Sequence, residues 1–270
     1  MSAQSGRVDV PLKRLSFGET RRNDTWWLKP LVVFVILTAF VVYSTWAAFQ
    51  NAYYAWGPYL SPMYSPELWG SSPHAFFGPK PDWFPHWLPF SPALIILPFP
   101  AFFRVTCYYY RGTYYKSHWG SPPACAVGKL QKNYRGEQKL PLILQNVHRY
   151  FLYAALVFLV FLSIDAYKGF FGWKEYGGKA FEVHLGSLIL LLNVILLAGY
   201  TFGCHSLRHL VGGGVDEMSK KPMRFRLWKC ASCFNRSHQG WALTSLFWVA
   251  GTDIYVRLLA MGKIPDFKIF

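Results

Sequence analysis

Long apolar runs separated by charged segments dominate this sequence. Leu31–Phe49 contains no charged residue. Leu185–Leu207 contains no Asp, Glu, Lys or Arg, although it includes Cys204 and His205 near its end. A helix needs roughly 20 mainly apolar residues to cross roughly 30 Å of hydrocarbon. The charged fraction of 15% is also low beside the roughly 25% of an average soluble domain. These features predict an all-α integral membrane protein.

Five runs are long enough to predict a bundle of five transmembrane helices in a single membrane-anchor domain, residues 1–270. The second run is the weakest because it contains three prolines and Arg104. We keep it as a kinked span, since neighbouring helices can satisfy the carbonyls that proline frees. In the fifth run, Asp253 and Arg257 lie four residues apart and can pair on one helix face. The predicted spans are approximately 28–50, 91–110, 147–171, 185–207 and 239–262.

The lysines and arginines predict the orientation. Six lie in the segment through Lys29, eight in Arg104–Arg149 and seven in Arg208–Arg236, together 21 of the 28. Segments rich in these residues stay in the cytoplasm. We therefore expect a multi-pass protein of the plasma membrane, surrounded by lipid, with a cytoplasmic N-terminus and an external C-terminus. The net charge of +15 is explained by topology, so nucleic acid is not expected as a partner.

The cysteines and most of the histidines collect on the predicted cytoplasmic side. The cytosol is reducing, so clustered cysteines favour metal or redox use over disulfides. Free cysteines can also be small buried hydrophobic residues without a cofactor. The residues on this side are Cys107, Cys125, Cys204, Cys230, Cys233, His118, His148, His205, His209 and His238.

Two redox centres fit these side chains. Haem b needs two histidines that face each other from different helices, which His148 and either His205 or His209 could supply. A Rieske-type 2Fe–2S cluster needs two cysteines on one iron and two histidines on the other. The cluster is favoured because a haem leaves the five cysteines unexplained. Separately, the pair Cys230 and Cys233 suggests zinc or iron–sulfur, or a basic loop that faces a partner.

Three segments resemble the membrane-anchor (cytochrome-b-like) subunit of actinobacterial succinate dehydrogenases, the succinate:quinone oxidoreductases of respiratory complex II. They are CYYYRGTYYKSHWGSPPACAV from Cys107, NVHRYFLY around His148 and GCHSLRHLVGG around His205. The resemblance implies a five-helix anchor that docks a flavoprotein and an iron–sulfur subunit on its cytoplasmic face. It would pass electrons from succinate to menaquinone or ubiquinone, while the tricarboxylic acid cycle chemistry would lie in those other subunits. A higher oligomer is compatible with this arrangement.

The resemblance also narrows the expected metal ligands. Cys107 and Cys125 lie inside the resembling segments, and so do the histidines. We expect these two cysteines on one iron and His205 and His209 on the other, with His148 close by. Only one histidine on the predicted outer side lies at a helix end, so a second, outer haem is not expected.

A quinone site needs an apolar slot and one or two donors for the carbonyl oxygens. Arg111, Trp119 and Arg149 are the predicted quinone contacts, because they lie beside the expected centre. Two other classes of function stay open at this point. One is a non-redox transporter, although no internal repeat typical of transporters is present. The other is a structural anchor without a cofactor.

Overall fold

The computed structural model describes residues 24–25, 27–87, 89–107, 110, 143–213 and 217–270. Within them the fold is mostly helical, with one antiparallel hairpin of strands β1 (Ala55–Trp56) and β2 (Tyr59–Leu60) and two short 3-10 helices, Gly172–Tyr176 and Met218–Lys220. The α-helices are α1 (Leu28–Gln50), α2 (Pro92–Ile96), α3 (Pro98–Thr106), α4 (Ile143–Phe171), α5 (Leu185–Phe202), α6 (His205–Gly212), α7 (Pro222–Arg236) and α8 (His238–Ala260).

Four of these helices, α1, α4, α5 and α8, are long and apolar enough to cross a membrane. They correspond to the predicted spans 28–50, 147–171, 185–207 and 239–262. Large apolar side chains are exposed on their outward faces, among them Val42 on α1 and Val160 on α4. A soluble monomer rarely exposes so much apolar surface, whereas a helix that faces lipid requires it.

The predicted span 91–110 is helical but interrupted. Its two short helices, α2 and α3, meet at Leu97, where Pro98 begins the second of them. Proline fits the first position of a helix because it has no N–H to leave unpaired. The segment Pro92–Thr106 is shorter than the other apolar helices and than the roughly 20 residues of a full span. A count of five spans therefore stays a prediction.

The predicted span 185–207 is not one continuous helix. Helix α5 ends at Phe202, and a separate helix begins at His205. Between them Cys204 has an extended backbone, and its Sγ accepts a hydrogen bond from the backbone N–H of Ser206 at 3.3 Å. The thiol thus caps α6, as a polar side chain does at a helix N-terminus.

Helix α7 packs closely against this break. A Cβ atom at Gly203 would lie 3.0 Å from the backbone oxygen of Phe234, so only glycine allows the two helices to approach here. The side-chain amide of Asn235 donates to the Gly203 carbonyl at 2.7 Å. The apolar run continues past this point, but the helix does not.

The bundle has two ends with different contents. We call one the cysteine end, where α3 and α5 stop and α4 and α8 start; it holds Cys107, His148, Cys204 and His238. The opposite end is formed by residues 51–90 and 261–270. Helix α5 packs against both α4 and α8 and so connects the two ends through the middle of the bundle.

A buried ion pair anchors the opposite end. Arg257 Nε donates to Asp253 Oδ2 at 2.7 Å, which confirms the predicted pair. Tyr43 donates to the same carboxylate at 2.5 Å, and Ser61 donates to its other oxygen. Arg257 also donates to the side chain of Gln50 at 2.7 Å. Every charge in this group has several partners, as burial in the membrane requires.

The C-terminal segment docks at the same end through a second polar group. His184 lies between two carboxylates, 2.9 Å from Glu182 and 3.2 Å from Asp266. Lys268 contacts Glu182 at 2.7 Å, and Tyr255 donates to Asp266 at 2.7 Å. Lys268 and His184 lower the pKa of Glu182 to about 2.

Candidate functional site

A cavity of about 750 Å³ opens at the cysteine end. Its walls bring together two cysteines and four histidines from three helices, α4, α6 and α8, and from the chain segments that follow α3 and α5. Arg149 lines the same cavity with an exposed side chain. The cysteines and histidines on its walls are Cys107, Cys204, His148, His205, His209 and His238.

Two cysteine–histidine pairs form the buried part of this wall. His148 Nε2 lies 3.1 Å from Cys204 Sγ, and His238 Nε2 lies 3.5 Å from Cys107 Sγ. All four side chains belong to residues that are 5% exposed or less. The other ring nitrogen of His148 lies 2.8 Å from Thr106 Oγ1. A hydrogen bond of this kind fixes the orientation of a ligating imidazole.

An aromatic ring stacks on each of the two buried imidazoles. Phe103 stacks on His148 with ring centroids 4.7 Å apart and planes at 4°. Tyr200 stacks on His238 at 4.9 Å and 19°. Both aromatic residues are themselves buried. The imidazole planes are therefore set by packing as well as by contact with sulfur.

Four chain segments deliver these groups. Cys107 follows the last residue of α3, His148 lies near the start of α4, Cys204 lies between α5 and α6, and His238 begins α8. Each of the four groups lies at or near the end of a helix, and all four helix ends meet at the cysteine end of the bundle. The site thus depends on the antiparallel packing of the bundle.

The other two histidines lie on the open side of the cavity. His205 and His209 are on α6, and both are exposed. The ring of His205 lies 6.4 Å from that of His238. Partial burial lowers the pKa of His205, and the nearby charge of Arg208 adds to this. Burial raises the pKa of the Cys204 thiol to about 11.

The structure separates the remaining predicted residues. Cys230 and Cys233 lie on α7, are exposed, and do not line the cavity. Arg111, Trp119 and Cys125 lie outside the described residues. Within the described part of the chain, no three His, Cys, Asp or Glu side chains converge as they would around a single metal ion.

The sequence placed Cys204 and His238, which form half of the buried wall, in the same group as Cys107 and His148 but did not choose them as the expected ligands. The structure puts all four at one end of the bundle. Their pairing could not be found from spacing, because residues from different helices meet only in the folded bundle. The available signal was position, since each stands where an apolar run meets a polar segment.

Comparison with known proteins gives two matches. The sequence model described as actinobacterial succinate dehydrogenase subunit SdhC matches residues 28–262. A chain of the Mycobacterium smegmatis Sdh1 complex, solved in the apo form, is 40% identical, with a TM-score of 0.80. That alignment covers 97% of this chain and 98% of the other. No curated protein matches.

Proposed function

Because the chain belongs to the family of actinobacterial succinate dehydrogenase subunit SdhC, as the sequence resemblance predicted, we propose that it carries electrons from the succinate-oxidising part of complex II to a quinone. In this role it is the membrane anchor of the complex. Its partners are the flavoprotein and iron–sulfur subunits, which dock at the cysteine end. The basic residues near that end suit such docking, since complementary charge steers association.

The donors at the cysteine end carry the proposal of a redox centre. A Rieske-type 2Fe–2S cluster takes two thiolates and two imidazoles, and the buried wall supplies two of each: Cys107, Cys204, His148 and His238. Such a cluster needs two protein donors at each iron and not three around one atom. In the structure each cysteine contacts a histidine, Cys204 with His148 and Cys107 with His238. Binding of the cluster must therefore separate these pairs, so that both thiolates reach one iron and both imidazoles reach the other.

The buried donors replace part of the set expected from the sequence. His205 and His209 are exposed on α6, so we place them at the mouth of the cavity instead of on an iron. Cys125 stays a rival to Cys204 as the second cysteine. When bound, the cluster would accept one electron at a time from the iron–sulfur subunit and release it toward the quinone.

The protein's own residues tune this centre in two ways. Burial keeps water away from the thiols and raises the pKa of Cys204, so binding of iron must displace its proton. Thr106 holds Nδ1 of His148 and leaves Nε2 directed at the sulfur side. Arg149, the predicted quinone contact that the structure describes, lines the polar cavity and gives that side a positive potential.

Substitution of the donors tests the proposal in the purified complex. Cys204→Ser and His238→Ala should each abolish the electron-paramagnetic-resonance signal of the membrane centre. Each should also lower quinone reduction about 100-fold, the upper end of the effect known for loss of a group that supports a metal ligand. Succinate oxidation by a soluble artificial acceptor should be unchanged. Cys230→Ser is the matched control, because its thiol is exposed.

Two results would contradict the proposal. If Cys125→Ser, His205→Ala or His209→Ala removed the signal while Cys204→Ser and His238→Ala kept it, the ligand set expected from the sequence would be right. If the optical spectrum showed sharp reduced haem bands, the centre would be haem b with histidine ligands. Absence of iron altogether would leave an anchor without a cofactor.

A further inference from the structure

Helix α7 has three different faces, and only one of them packs on the protein. On that face Arg224 donates to the Gly213 carbonyl at 2.9 Å, Asn235 donates to the Gly203 carbonyl at 2.7 Å, and Ala231 is buried. Because successive residues of an α-helix are about 100° apart, these three α7 residues lie within about 40° of one another around the helix axis. The rest of the helix surface is turned away from the bundle.

The second face of α7 is apolar and largely uncovered. Met223 is 70% exposed and Leu227 is 52% exposed. Together with Phe234 they form a stripe about 40° wide and about 16 Å long on the helix surface. A stripe of large apolar side chains on a helix marks the side that meets an apolar neighbour. In the described part of the chain, nothing covers Met223 or Leu227 to supply that neighbour.

This apolar stripe is continuous with a membrane-spanning helix. The ring of Phe234 lies 6.1 Å from that of Trp241, which is the fourth residue of α8. The C-terminal end of α7 also lies beside Gly203, where α5 ends. Both spanning helices therefore meet α7 at their ends, the level at which tryptophan is common in membrane proteins. The neighbour that this level provides is the acyl chain of a phospholipid.

The third face of α7 carries positive charge. Arg226, Lys229 and Arg236 are all exposed and lie within about 80° of one another around the helix axis. The sequence has no Asp or Glu from Met218 to Thr252, and none of the three cations forms an ion pair with a carboxylate of the described residues. Exposed cations beside an apolar stripe are the pattern of a helix that binds anionic lipid.

We propose that α7 lies in the membrane interface at the cysteine end and binds an anionic phospholipid. The acyl chains lie along the apolar stripe, and Arg226, Lys229 and Arg236 hold the phosphate group. Each lysine or arginine beside an anionic lipid surface strengthens binding about fivefold. A zwitterionic phospholipid, whose own cation repels these side chains, binds more weakly. The inference does not depend on the proposed electron transfer.

The same helix also forms part of the wall of the polar cavity. Trp228 lines that cavity, and its ring lies 4.9 Å from the guanidinium carbon of Arg208 on α6. A phospholipid on the two outer faces of α7 therefore stabilises the position of this wall. Amide hydrogen exchange in α7 should accordingly be slower in nanodiscs of anionic lipid than in nanodiscs of phosphatidylcholine.

Native mass spectrometry of the intact complex tests the headgroup site, with phosphatidylglycerol as the added lipid. The triple variant Arg226→Gln, Lys229→Gln, Arg236→Gln should bind phosphatidylglycerol roughly 100-fold more weakly, since it removes three cations that each contribute about fivefold. The double variant Arg226→Lys, Arg236→Lys keeps the charge and should retain most of the affinity. Loss of binding in this charge-preserving variant would contradict an electrostatic site.

The matched control removes the same number of cations from the far side of the bundle. Lys174, Lys179 and Lys263 are exposed there, and their joint replacement by glutamine should leave the affinity for phosphatidylglycerol unchanged. Equal weakening in the two triple variants would show that net charge alone governs binding, and the inference would be wrong. Added salt should weaken binding to the wild-type protein, because exposed charges are screened, and should have little effect on the triple variant of α7.

Photochemical labelling tests the apolar stripe. A phosphatidylglycerol with a photoreactive group in its acyl chain should attach to the α7 peptide that contains Met223 and Leu227, and phosphatidylcholine with the same group should attach much less. Equal labelling by the two lipids would overturn the headgroup preference. If a photoreactive label on the exposed thiol of Cys230 instead joined α7 to a partner subunit, while neither lipid attached, α7 would be a protein-docking surface and the inference would fail.

Discussion

The two ends of the bundle handle buried polar groups in different ways. At the opposite end, Asp253 and Arg257 share a close ion pair with further donors and acceptors on every side. At the cysteine end the buried donors are thiols and imidazoles beside a cavity of about 750 Å³. An ion pair with further hydrogen bonds holds helices together, whereas thiols and imidazoles beside a cavity are suited to binding a further group.

This difference predicts that substitutions at the two ends have different effects. Substitutions at the opposite end should lower stability and leave the proposed redox centre intact. Substitutions at the cysteine end should impair the proposed electron transfer and leave the assembled fold intact.

The largest effect on stability is expected at the ion pair. Asp253→Ala leaves Arg257 buried without its anion, which should cost about 3–5 kcal/mol of unfolding free energy. Thermal unfolding of the complex in detergent should show this as a clearly lower midpoint. The double variant Asp253→Leu, Arg257→Met removes both charges and should recover much of the loss. An unchanged midpoint in the single variant would contradict a structural role for the pair.

A smaller effect is expected where the C-terminal segment docks. The pKa of Glu182 is lowered by Lys268 and His184, so this carboxylate stabilises the docked segment at pH values above its ordinary pKa of 4.5. That contribution should be lost as the pH falls from 4.5 through about 2. Amide hydrogen exchange should then accelerate at Ile269, whose N–H bonds to the Val183 carbonyl.

Glu182→Gln should accelerate hydrogen exchange of the Ile269 amide already at neutral pH. The exchange rate should then depend much less on acid than it does in the wild-type protein. The matched control is Glu217→Gln, since Glu217 forms an exposed pair with Lys220 and such pairs contribute little. Equal acid dependence in the wild-type protein and in Glu182→Gln would show that another group controls docking.

The smallest change is a difference in thiol reactivity. Cys230 and Cys233 are exposed, while Cys107 and Cys204 are buried. A short pulse of iodoacetamide should therefore modify the first pair and spare the second, without loss of quinone reduction. Peptide mass spectrometry gives the extent at each site. Rapid modification of Cys204 would show that the cysteine end is open to water at the thiols.

Much of the architecture could be predicted from hydropathy, because a helix that crosses lipid must be apolar along its length. Three spans agree with the structure within a few residues, and the pairing of Asp253 with Arg257 follows from helical spacing alone. The end of α5 could not be predicted, since the apolar run continues past Gly203 and the close approach of α7 at Phe234 is visible only in the folded bundle.

The residue types of the candidate site could be predicted better than the particular residues that form it. Cysteine and histidine were expected together at one end of the bundle because they lie at the ends of the apolar runs. The partners within it do not, because Cys107 meets His238 across 131 positions of sequence. Arg104 was noted as a charge inside a weak span, and only the bundle shows that it faces an apolar cavity.

The stacking of Phe103 on His148 and of Tyr200 on His238 has a kinetic consequence. An imidazole clamped between a ring and a sulfur cannot turn when the charge beside it changes. In the proposed electron path, little nuclear motion would accompany each electron, so the reorganisation energy of the transfer would be small. Rigid aromatic packing would then raise the rate of electron transfer as well as the stability of the fold.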